Sequence, residues 1–105
     1  MSEGFVAVAK LSDLPPGAVK VVTAGFDRIA LCNVDGTVHA VEDVCTHDDG
    51  PLGEGALRGC EIECPRHGAR FDVRTGAVTR MPAAAAVKTF PVKVEEGRVF
   101  VKVKD

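Results

Sequence analysis

The chain has no tryptophan and no tyrosine, and phenylalanine occurs only five times in 105 residues. Aromatic platforms on which nucleic-acid bases could stack are therefore scarce. An excess of positive charge is missing as well: 13 Lys and Arg stand against 15 Asp and Glu, a formal net charge of -2, which leaves no basic footprint for a phosphate backbone. No run approaches the roughly 20 apolar residues that cross a bilayer. The opening Met1-Ser2-Glu3-Gly4 lacks the basic and apolar segments of a secretory leader. The expectation is a cytoplasmic protein with no nucleic-acid and no membrane partner. In that reducing compartment, four cysteines read better as metal ligands or buried thiols than as a disulfide framework. The length is that of one domain, residues 1–105, which can bury a modest core but cannot house a separate catalytic domain.

Helical signal is nearly absent too. Leu11-Ser12-Asp13-Leu14 predicts one turn, ended by Pro15-Pro16-Gly17. The alanine run Ala83 to Ala86 is too short to stand as a helix and follows Pro82 directly. What is present is period-two alternation in short runs: Phe5 to Val8, Ala18 to Val22, Arg28 to Val34, Thr37 to Val41, Lys88 to Val94 and Arg98 to Val103. Asp35-Gly36 between two of these predicts a hairpin, because both turn positions need positive φ. Glu95-Glu96-Gly97 predicts a second, with apolar residues on one face and lysines on the other. Short strands punctuated by turns argue for an all-β fold, an antiparallel β-sandwich or barrel. From Cys45 to about Gly59 the alternation stops and Gly, Asp and Pro take over. A loop that long in a small domain is usually functional.

Two motifs border this stretch, Cys45-Thr46-His47 and Cys64-Pro65-Arg66-His67, together C-x-H-x16-C-x2-H. Each supplies one thiolate and one imidazole, and nearby glycines let the backbone bend around a shared metal. A structural zinc site also accepts two Cys and two His, but zinc motifs usually pair cysteine with cysteine and histidine with histidine, whereas each half here is mixed. A third arrangement is a [2Fe-2S] cluster in which two histidines replace two cysteines on one iron. The bland alternative, unconnected core cysteines and surface histidines, requires four such residues to fall into this pattern by chance.

The chain resembles the Rieske family well beyond these four residues. Cys45-Thr46-His47 matches its first cluster loop and Cys64-Pro65-Arg66-His67-Gly68 its second, Arg70 to Gly76 looks like the strand and turn that follow, and Met81-Pro82-Ala83 sits where the family has a proline-bearing covering loop. The resemblance runs from about Val6 to Val103. It implies a Rieske-type sandwich whose cluster-binding subdomain, about residues 43–82, is made of two loops. It also implies Cys45 and Cys64 on the buried iron and His47 and His67 on the outer one. With two neutral imidazoles, the oxidised core carries no net charge, so adding an electron is easier than in an all-cysteine cluster.

Rieske potentials span about -150 to +300 mV. High-potential members carry an extra cysteine in each loop; the matching positions here are Gly50 and Arg66, so that disulfide is absent. Where those members place Ser and Tyr hydroxyls, this chain has Ala69 and Phe71. Each missing donor removes stabilisation of the reduced state, and the low end of the range is expected.

Cys60, in Cys60-Glu61-Ile62-Glu63-Cys64, alternates with the glutamates and reads as a buried packing thiol alongside Ile62. Cys32 reads the same way, and His39 as an ordinary strand histidine. Seven acids against one base lie between Glu42 and Glu63, and four arginines against one acid between Cys64 and Arg80. That distribution is open to two readings: an acidic and a basic side that steer partners, or ordinary solvated charge. The resemblance is strongest to the soluble ferredoxin components of multicomponent ring-hydroxylating dioxygenases. It implies a monomeric electron carrier, not an enzyme, between a flavin-containing reductase and a terminal oxygenase. The alternatives are a Rieske-like small subunit of another system, such as nitrite reduction or iron–sulfur assembly, and a zinc-bound interaction module.

Overall fold

Alternating side chains with glycine at the reversals drive most of this chain into antiparallel pairs. The computed structural model describes residues 4–44, 50–65, 68–81 and 85–103. Its strands are β1 (Phe5–Lys10), β2 (Val19–Ala24), β3 (Asp27–Val34), β4 (Thr37–Glu42), β5 (Ala56–Arg58), β6 (Glu61–Glu63), β7 (Arg70–Asp72), β8 (Val78–Arg80), β9 (Thr89–Phe90), β10 (Val92–Glu95) and β11 (Arg98–Lys102). They form three antiparallel sheets, in the orders β1-β11-β10, β2-β3-β4-β9 and β5-β6-β7-β8. The predicted single turn is there, a 3-10 turn over Leu11–Asp13, and Leu14 beyond it is fully buried.

Both predicted hairpins close as two-residue turns. Asp35 and Gly36 have φ of 51° and 98°, and Val34 pairs with Thr37. Glu96 and Gly97 have φ of 51° and 76°, and Glu95 pairs with Arg98. Positive φ at both central positions matches the twist of the flanking strands. The second hairpin departs in part from the expected two faces. Val99 and Val101 are buried, but Val94 is exposed, and the Lys93 amine lies 5.0 Å from the Phe5 ring and 5.4 Å from that of Phe100. The outer face is thus aromatic beneath its lysine, a cation–π arrangement.

The middle sheet, β2-β3-β4-β9, is covered on both faces. Ile29 and Leu31 of β3 join a core with Leu14, Val38, Phe90, Val99 and Val101. Their neighbours Ala30 and Cys32 point the other way, into a core with Leu52, Ile62, Cys64 and Phe71. Residues 29 to 33 are consequently all buried, as expected of a strand packed on two sides.

Two sequence expectations change. The run Lys88 to Val94 is two strands: β9 pairs with β4 and β10 with β11. Between them Pro91 has no N–H to extend a ladder, while its carbonyl accepts from the Lys102 N–H at 3.0 Å, so the chain changes sheets there. The region expected to be two loops also contains the whole sheet β5-β6-β7-β8, each strand three residues long. Of the alanine run, Ala83 and Ala84 lie outside the described residues, and Ala85 and Ala86 are not helical.

Candidate metal centre

Of the four expected ligands, Cys64 lies within the described residues; Cys45, His47 and His67 lie outside them, as do Arg66 and Pro82. Cys64 follows β6 and is 1% exposed, with its sulfur in no disulfide. Its N–H donates to the Ala69 carbonyl at 2.7 Å, and its own carbonyl accepts from the Gly68 N–H at 3.0 Å. Gly68 has φ of 79°, a left-handed conformation that a side chain would strain. Backbone hydrogen bonds thus join the two ends of the second motif segment, Cys64 to Gly68 and Ala69, between β6 and β7.

The first segment leaves β4 through Asp43 and Val44. The Asp43 carboxylate, with a fully buried side chain, accepts the Gly53 N–H at 2.5 Å. It also accepts from Arg28 Nη2 at 3.0 Å and Nε at 3.3 Å. Sequence reasoning missed these residues. Their one signal was an acid directly between a strand and a cysteine motif.

The flanks of the two segments share one core. Leu52, which follows the first motif, packs in the same buried cluster as Cys64, Ala69 and Phe71. A buried cysteine outside any disulfide, in a segment whose ends are joined at glycine, fits a metal-bound thiolate, and the paired thiolate–imidazole sequence supplies a donor set for [2Fe-2S]. Among the described residues no group of three or more His, Cys, Asp and Glu is placed to hold a metal, so Cys60 and His39 build no second centre there.

Cys60 is a correction. It sits in the turn with Gly59, ahead of β6, and is half-buried; β6 separates it from Cys64. Ile62 alone of that pair enters the core, because the strand alternation begins only at Glu61. Cys32 is the buried thiol expected: desolvation pushes its pKa up to about 12. His39 lies on β4 opposite Cys32, beside a cavity also lined by Arg74 and Phe90.

Across these strands opposite and like charges alternate: Glu63 stands opposite Arg70, Glu61 opposite Asp72, and Arg70 opposite Arg80. Arg58 donates to Glu63 at 2.9 Å, and Arg70 reaches Glu63 at 3.2 Å and Glu61 at 3.7 Å. Asp72 holds Arg74 at 3.0 and 2.8 Å. The Arg58 hydrogen bond holds the Glu63 carboxyl below the usual carboxylate range, helped by the Arg70 charge. The Arg74 hydrogen bond does the same for Asp72.

A Rieske [2Fe-2S] domain matches residues 4–91. The chain belongs to the Rieske [2Fe-2S] family. A ferredoxin component of naphthalene 1,2-dioxygenase/salicylate 5-hydroxylase systems from a Ralstonia species is 40% identical over 104 residues, covering 99% of this chain and all of that protein. The ferredoxin of carbazole 1,9a-dioxygenase from Nocardioides aromaticivorans superposes with a TM-score of 0.92 at 34% identity, covering 95% of this chain and 98% of the other. A further chain, from the complex of reduced oxygenase and oxidized ferredoxin in carbazole 1,9a-dioxygenase, superposes with a TM-score of 0.90 at 38% identity, covering 95% of this chain and 94% of the other. This Rieske chain accordingly carries a [2Fe-2S] cluster and is an electron-transfer protein rather than a catalytic enzyme. No helix among the described residues is long and apolar enough to cross a membrane.

Proposed function

We propose that residues 1–105 form a single Rieske domain in which Cys45, His47, Cys64 and His67 hold the [2Fe-2S] cluster, the cysteines on the inner iron and the histidines on the outer. In this reading the protein is a cytoplasmic monomer that takes single electrons from a flavin-containing reductase and delivers them to a terminal ring-hydroxylating oxygenase. The observation that carries it is the shared core: Leu52, behind the first motif, and Cys64 and Ala69, within and beside the second, pack together. When bound, the cluster supplies reversible one-electron redox chemistry. The chain's own residues anchor the segments that bear the ligands, keep water from Cys64, and set the polarity around it.

That polarity favours the low-potential end. Ala69 and Phe71 are fully buried in the cluster of side chains around Cys64, and neither carries a hydroxyl to stabilise added negative charge on sulfur. The test is low-temperature EPR of the purified protein during a redox titration, with iron, sulfide and zinc assayed alongside. A rhombic signal with average g below that of all-cysteine clusters, and a midpoint below about +100 mV, is expected. Zinc in place of iron would overturn the cluster reading, and a midpoint above that value would overturn the polarity argument.

A further inference from the structure

A fully buried carboxylate needs a structural reason, because its desolvation is costly unless every oxygen is paired. Asp43 meets that condition with two partners from different parts of the chain. Oδ1 accepts the Gly53 N–H at 2.5 Å and Oδ2 accepts the Arg28 guanidinium at 3.0 and 3.3 Å. The Asp43 N–H donates to the Arg28 carbonyl at 2.9 Å, so Asp43 is bound to β3 through backbone and side chain alike.

The other end of the tie is equally constrained. A Cβ on Gly53 would lie 2.3 Å from Val21 Cγ2 and 3.0 Å from Asp43 Oδ1, so the backbone at 53 is seated directly against β2 and the carboxylate. Leu52, one residue earlier, is fully buried in the core that contains Cys64. One side chain therefore joins positions ten residues apart in sequence, and those positions bracket the segment that carries Cys45 and His47.

We infer that Asp43 is a positioning residue for electron transfer: by tying Gly53 to Arg28 it holds together the two ends of the first ligand segment, on which retention of the cluster depends. The inference rests on the ligand assignment proposed above. A span closed in advance loses less conformational freedom when the ligands engage. Releasing it weakens retention of the cluster and changes the geometry at the ligands. Arg28 serves the same end by neutralising Asp43, which leaves a neutral pair beside the site.

The experiment compares the holoprotein with Asp43→Ala and Asp43→Asn. Deuterium exchange is followed in peptides covering residues 50–55, together with the EPR g values and the rate of bleaching under a chelator. Asp43→Ala is expected to exchange and bleach about tenfold faster, as the loss of a charge-assisted hydrogen bond implies, with broadened or shifted g values. Asp43→Asn keeps an acceptor oxygen but loses the charge, and both rates should rise by about threefold. If the alanine variant gives no soluble protein, the asparagine variant decides. Unchanged exchange at residues 50–55 would overturn the tie. Faster exchange with unchanged bleaching and g values would overturn its role in retaining the cluster. A parent protein without the histidine-ligated signal would instead overturn the ligand assignment, an outcome that the exchange data keep distinct.

Discussion

The middle sheet and the sheet of β5 to β8 solve the same problem, antiparallel register, by different means. In β2, β3 and β4 the strands run six to eight residues. Slipping by one would move every core side chain to the wrong face. The strands β5 to β8 have three residues each, too few for side-chain alternation alone to set register. Cross-strand charge pairs and glycines pressed against backbone do that work instead. A Cβ on Gly55 would lie 1.7 Å from the Glu63 carbonyl oxygen, and one on Gly76 2.1 Å from that of Val87. The short-stranded sheet thus shares its core with the middle sheet and adds tight backbone contacts of its own.

Deleting core volume on either side should break the comparison most sharply. Phe71→Ala is expected to cost about 3–5 kcal/mol and Leu31→Ala about 2–5 kcal/mol. In urea the first should lose visible absorbance before far-UV circular dichroism, because Phe71 packs with Cys64. The second, on the opposite face of the middle sheet, should lose both signals together. Coincident loss in Phe71→Ala would mean the two sheets unfold as one unit.

Glycine substitutions come next. Gly76→Ala combines the Val87 contact with φ of 82° and should destabilise by about 1–3 kcal/mol through overpacking, with backbone strain added. Gly59→Ala meets open space at φ of 62°, so strain alone, roughly 1 kcal/mol, is expected. Equal thermal midpoints for the two would remove the role given to close backbone contact.

In the middle sheet, Asn33 is the polar residue to test. It is 3% exposed, donates to the Leu14 carbonyl and accepts from Gly36 N–H, both at 2.7 Å. Asn33→Ala should cost about 1–3 kcal/mol, since Leu14 is left with an unsatisfied acceptor, and chemical denaturation would show it. The smallest effect is that of Asp72. Because its folded pKa is lowered, first by the Arg74 hydrogen bond, its contribution is complete above the usual aspartate value of about 3.9. It fades as pH falls through the lower folded value. Asp72→Asn should lower neutral-pH stability slightly and flatten the acid-side loss by that same small amount, as thermal melts between about pH 2 and 7 would show.

The same contrast explains what was legible in the sequence. The long strands and the Asp35-Gly36 turn were readable because alternation and positive-φ residues repeat there over many positions. β5 and β8 were not, because three residues cannot display a period. Cys60 was misplaced for a related reason: alternation counted from it began inside a turn. The sheet change at Pro91 could be read only with hindsight from its missing N–H. At the site, the Cys/His spacing was explicit, but the Asp43 tie joins residues whose proximity depends on tertiary packing. Arg28, Asp43 and Gly53 have no shared pattern along the chain.

The pairing of β1 with β11 has a mechanical consequence. Phe5 faces Lys102, so the outer ends of the first and last strands leave the same edge side by side. A load applied between them pulls across the ladder and opens its hydrogen bonds one at a time, like a zipper, rather than shearing them together. Such a pair yields at low force, and the three-stranded sheet would peel away while the iron-bearing end is still intact.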